Sequence, residues 1–185
     1  MNKRFNFLFE IVSRYTILIL TGFLSIQIFY FLFTSFTIYP TYFLLKLFFN
    51  ASLIYNTILI NSLPVEIIGA CIAGSAYYLL LILNLSTPKI KLRKRITMLL
   101  FSFFLFLIIN ILRIFSLSIL FVSGVSFFDL AHKLFWYVGS VVFVVGIWFL
   151  SVKIFKVKEI PFYSDIVFLL SSGKNLKKTK RSKKH

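Results

Sequence analysis

Four long stretches of this chain are apolar on every face, and the charged residues gather between them. Tyr15 to Tyr39, Cys71 to Thr87 and Leu134 to Val152 carry no charge, and Ile96 to Val122 is interrupted only by Arg113. A bilayer core about 30 Å thick needs about 20 apolar residues in helical form. Backbone polar groups in lipid must be satisfied internally, which leaves helices or closed barrels, and these runs lack the alternation of barrel strands. The pattern therefore predicts an all-α integral membrane fold with spans at about 15–36, 71–87, 96–122 and 132–152. Residues 1–152 form one membrane domain in this reading and 153–185 a basic tail.

The connection after the first span is more mixed. Residues 42–53 are apolar nearly all round apart from Lys46 and Asn50, and read as a fifth helix that is interfacial or partly inserted. Two short runs rich in β-branched residues, 55–60 and 65–68, flank Asn61-Ser62-Leu63-Pro64 and predict a small extracytoplasmic hairpin. Asn50-Ala51-Ser52 fits a glycosylation acceptor pattern on the same side. Residues 160–170 are short and moderately apolar, and are placed at the cytoplasmic interface.

Composition agrees with membrane residence: 59% of residues are hydrophobic and 25 of the 185 are Phe, too oily for a water-exposed surface. The net charge of +16 raises the question of nucleic acid. The position of that charge answers it. Lys and Arg cluster before the first span, in residues 89–95, and after Lys153, whereas Lys46 and Lys133 are the basic residues of the other two connections. This is the positive-inside pattern, with both termini cytoplasmic and residues near 40–70 and 123–132 facing outward. The tail Lys174 to His185 would sit against anionic headgroups at about 1 kcal/mol per basic residue, and no aromatic-interleaved platform for nucleic acid accompanies it. The basic start followed by an apolar run resembles a signal peptide, but the run is too long and lacks a small-x-small site, so a retained anchor is expected.

With one cysteine, Cys71, the chain can form no internal disulfide. In the expected topology Cys71 stands at the outer end of the second span, Arg113 in the outer half of the third, and His132 at the outer start of the fourth. Each has an ordinary explanation: a buried small hydrophobe, a snorkelling cation, an interfacial imidazole. A charge inside a span is nevertheless costly and normally faces a polar cavity or partner. The chemistry that uses all three is cysteine nucleophilic catalysis. The thiolate attacks a carbonyl, the imidazole activates it and later protonates the leaving amine, and the guanidinium serves the oxyanion. Arg113 could instead orient the substrate carbonyl or a neighbouring backbone group. Asp129 either holds the His132 ring or is a helix-start acid. Asn110 shares a face with Arg113, and Ser75, one turn below Cys71, lines the pocket or packs. No metal or cofactor is implied by these residues.

At these positions the sequence resembles the archaeosortase/exosortase family of membrane transpeptidases. The resemblance rests on Glu66-Ile67-Ile68-Gly69-Ala70-Cys71-Ile72-Ala73-Gly74-Ser75, on Asn110-Ile111-Leu112-Arg113-Ile114, and on His132 opening the last span. It covers about Tyr55 to Ser151, and the tail at Ile160 to Asp165 is similar to that of archaeal members. It implies a cysteine enzyme of the cell membrane whose substrates are exported proteins ending in a signal motif, a transmembrane helix and a basic cluster. Cys71 would be nucleophile, His132 general base and acid, and Arg113 transition-state stabiliser. Cleavage would occur at the outer face, with transfer to an acceptor such as lipid. Two features depart from the family: many bacterial members carry more helices, and residues 72–75 read Ile-Ala-Gly-Ser rather than the commoner Thr/Ser-Gly version. The rival reading is a non-enzymatic membrane subunit for lipid binding, assembly or transport, with Arg113 holding an anionic headgroup. A transport path is disfavoured by the single buried charge.

Overall fold

The computed structural model describes residues 3–87 and 90–157. Residues 158–185, which hold the segment 160–170 and most of the basic tail, lie outside the described residues. Among these residues, four helical stretches are long and apolar enough to cross a membrane: Gln27–Lys46, Gly69–Ser86, Leu92–Val122 and Phe128–Ile154. The spans expected at 71–87, 96–122 and 132–152 thus reappear with extended starts.

The first span differs from expectation. Helix α1 (Lys3–Lys46) continues through Pro40, so residues 42–46 belong to it and no separate helix forms at 42–53. A proline within a helix loses one hydrogen bond and costs roughly 3 kcal/mol. Tertiary packing offsets this, because Ile38 and Leu45, on either side of Pro40, are buried at 4% and 0% exposure against the next element.

That element is a sheet, so the fold is not purely α-helical. Strands β1 (Ala51–Ile54), β2 (Thr57–Ile60) and β3 (Leu63–Glu66) form an antiparallel meander in the order β1-β2-β3. The expected hairpin is its β2–β3 half. Asn61 and Ser62 both have positive φ, 49° and 71°, which is the two-residue turn whose twist suits a hairpin. The strand β1 occupies residues that read as the end of a helix. Ile58, Ile60 and Ile67 are buried against Ile38, Leu45 and Ile114, so the sheet covers one end of the bundle.

Below the sheet, α1 packs against α3 (Gly74–Ser86) and α4 (Leu92–Val122), and α6 (Ser140–Ile154) packs against α3 and α4. The ring of Tyr77 is fully buried, stacked on Phe33 at 3.8 Å and met edge-on by Phe103 and Phe106. On α4 the buried positions are Met98, Ser102, Phe106, Asn110, Ile114 and Ser118, one every fourth residue. Apolar and polar side chains alternate along that ridge. Large apolar residues on the outer faces, among them Phe31, Phe104, Leu112 and Phe149, are exposed, as lipid-facing positions would be.

Polar contacts also join the helices. Arg95, in the first turn of α4, donates to the carbonyls of Asn84, Leu85 and Thr87 and so satisfies the C-terminal end of α3. Ser102 and Ser151 bond to each other at 2.8 Å between α4 and α6, both fully buried. Ser102→Ala should lower stability by about 1 kcal/mol, and the double change to Ala should cost less than the two single changes added together. Reversible unfolding in detergent micelles would measure this; strictly additive losses would show that the pair contributes nothing.

Candidate functional site

The chain leaves β3 still extended through Ile68 and then enters the short helix α2 (Gly69–Ile72). Cys71 is half-buried in this turn, and its N–H donates to the carbonyl of Ile68 at 2.8 Å. At Ala73 the backbone turns left-handed, with φ 58° and ψ 43°. A residue with a Cβ adopts that conformation at a cost of about 1–2 kcal/mol. The break has a consequence for Cys71. In an unbroken helix the Cys71 carbonyl would accept from the amide of Ser75. Here it accepts instead from two side chains of α4, Asn110 Nδ2 at 2.9 Å and Arg113 Nη2 at 3.3 Å. The backbone of Cys71 is thereby tied to the third span.

The other arm of the guanidinium reaches the fourth span. Arg113 Nη1 donates to Ser140 Oγ at 3.2 Å, and Ser140 in turn donates to the carbonyl of Phe135. Phe135–Gly139 is a π-helical segment between α5 (Phe128–Leu134) and α6. Such wide turns are enriched at functional sites because they re-aim the residues around them. Arg113 therefore bridges the turn that carries Cys71 and the span that carries His132. Sequence reasoning missed Ser140. The available signal was a Gly139-Ser140 pair inside an otherwise oily run.

His132 is half-buried on α5, its ring parallel to that of Phe128 at 5.8 Å and edge-on to Trp136 at 6.0 Å. Aromatic neighbours flank the imidazole. Asp129 does not hold it: that carboxylate is exposed and paired with Lys133 at 2.6 Å, the usual partner one turn along a helix. Ser75 is exposed and is not part of the cavity wall. Asn110 lies behind the site, 1% exposed, and acts on Cys71 through its carbonyl.

Cys71, Arg113 and His132 all border one cavity of about 210 Å³. Its walls come from β3, α2, α4 and α5, and they are mostly apolar, with Glu66 and Ser118 as further polar members. The sequence reading named Glu66 only within a motif and did not single out Ser118. Among the described residues no group of His, Cys, Asp and Glu is arranged to hold a metal ion. In comparisons with known proteins, no protein-family model, no curated protein and no solved structure matches this chain.

Proposed function

We propose that this chain is a membrane-embedded cysteine transpeptidase, similar to the archaeosortase/exosortase family. It would cleave the C-terminal sorting signals of exported, membrane-anchored proteins at the outer face of the cell membrane. The observation that carries this reading is that Cys71, Arg113 and His132, from three separate helical spans, border one cavity.

In the proposed reaction His132 takes the thiol proton and the Cys71 sulfur attacks the scissile carbonyl carbon. A C–S bond forms and the carbonyl becomes an oxyanion. The C–N bond then breaks as His132 returns the proton to the leaving amine. A hydroxyl or amine of the acceptor, a lipid in this reading, gives its proton to His132 and attacks the thioester; the C–S bond breaks, and the Cys71 thiolate takes the proton back from His132. The oxyanion needs a donor other than the Cys71 N–H, which is already bonded to Ile68. Arg113 borders the cavity and has N–H groups left, since its two side-chain bonds use two of the five that a guanidinium carries. Its contact with the Cys71 carbonyl adds a positioning role.

Both termini are assigned to the cytoplasm from the charge pattern, which puts Cys71, the sheet and His132 outside. A substrate with its own membrane helix would reach the site already confined to the bilayer plane, which raises its effective concentration. The tail would rest on anionic lipid.

Alkylation of Cys71 by a charged maleimide that does not cross the membrane tests the placement. In intact cells Cys71 should be modified, and His132→Ala should slow the reaction near neutral pH by about tenfold by lowering the thiolate fraction. Protection in intact cells with modification only after lysis would overturn the topology. A rate indifferent to His132 would favour a lipid-headgroup site at Arg113 over an enzyme.

A further inference from the structure

The sheet of this protein ends on a free edge beside the nucleophile. The pairing fixes which backbone groups that edge presents. Ile60 pairs with Leu63 across a two-residue turn and Ile58 pairs with Val65, while the amide of Ile67 donates to the carbonyl of Asn56. Backbone groups in a strand alternate sides, so Leu63, Val65 and Ile67 face β2. Pro64, Glu66 and Ile68 then face away from it. β3 is the outer strand, with no fourth strand beyond it among the described residues. Pro64 has no N–H to offer, and the carbonyl of Ile68 is taken by the amide of Cys71. What remains is the complete N–H and C=O pair of Glu66, flanked by one carbonyl and one amide.

The cavity runs along this edge. Pro64, Val65, Glu66 and Ile67 border it as consecutive residues, whereas contact with one face of a strand would involve alternate residues. Ile68 is extended as well, so the edge continues to within three residues of Cys71.

We infer that the substrate polypeptide binds as an added strand on β3, exchanging a pair of backbone hydrogen bonds with Glu66 and so delivering its scissile carbonyl to Cys71. This rests on the transpeptidase reading and specifies how its substrate is held. Backbone pairing supplies affinity without demanding a particular side chain. Pro64 limits the pairing to a short segment, and a proline on an edge also guards against indiscriminate sheet extension. The apolar wall opposite then becomes the place where side-chain selectivity arises.

The test uses the full-length protein in lipid nanodiscs and a synthetic probe, acetyl-Val-Val-Val with a C-terminal aldehyde. The aldehyde adds the Cys71 sulfur reversibly to its carbonyl carbon, the oxygen taking up the thiol proton. Capture is read as protection of Cys71 from alkylation. Three further probes each carry one N-methylated amide, and butanal reports thiol reactivity without reaching the edge. We expect N-methylation at one position to weaken capture by about tenfold or more and at the adjacent position by less than about twofold, the alternation of a paired strand. Glu66→Pro should weaken capture of the unmethylated peptide more than Glu66→Ala does. Equal sensitivity at every position, with peptide and butanal both captured, overturns the edge pairing and leaves the transpeptidase reading standing. Failure to capture either aldehyde removes the nucleophile and overturns both.

Discussion

Cys71→Ser should abolish processing of exported proteins, by about a thousandfold or more, while the protein still inserts and accumulates. The size follows from the role. Removing a nucleophile leaves only binding and oxyanion stabilisation, and groups that act as a unit fail together. An oxygen at this position has no comparable means of activation: the imidazole stands between aromatic rings, with the nearby carboxylate of Asp129 committed to Lys133. The measurement is mass spectrometry of C-terminal peptides from exported proteins in cells carrying the wild-type or the Ser protein. Processing at the wild-type rate would end the nucleophile assignment.

Arg113→Lys should fail nearly as badly as Arg113→Ala, each losing about a hundredfold or more in turnover. The guanidinium holds the Cys71 carbonyl with one nitrogen and Ser140 with another, and a single ammonium cannot reproduce that planar fork. A charged oxyanion donor contributes on the order of 10²–10³ in rate, so the loss should appear in turnover rather than in substrate affinity. Asn110→Ala supplies the contrast, because Asn110 shares the Cys71 carbonyl without bordering the cavity. Its effect should be smaller, and it should overlap with that of Arg113→Ala in the double variant. If Lys restored activity, Arg113 would be needed only as a charge.

Much of this arrangement was legible in the chain before any coordinates. Long uncharged runs declare helical spans because lipid offers backbone groups no other partner, and Arg113 stood out because a charge is expensive there. The Asn61-Ser62 turn could be read from the strand runs around it. The corrections have physical causes. Pro40 normally signals a break, but the sheet packed over Ile38 and Leu45 keeps α1 continuous through it. Strand β1 is too short and too apolar to differ from a helix end in sequence, and only its pairing with β2 defines it. The left-handed turn at Ala73, which frees the Cys71 carbonyl, has no glycine to mark it. The π segment and Ser140 are likewise set by tertiary contact rather than by local preference. Of the two readings of Asp129, the helix-start acid is the one that stands: it lies in the first turn of α5, where a lysine four residues on competes for it more effectively than an imidazole three residues away.

The central claim is that the sulfur of Cys71 and the imidazole of His132 work on the same peptide bond, and a short bis-electrophile tests it most directly. Dibromoacetone can react only once with a thiol in this protein, because Cys71 is the single cysteine. The adduct then holds a second reactive carbon within a few ångströms of the sulfur. The prediction is a covalent bridge from Cys71 to His132, identified by sequencing the joined peptides, with His185 unmodified. Single adducts on Cys71 with His132 left intact would contradict the shared site.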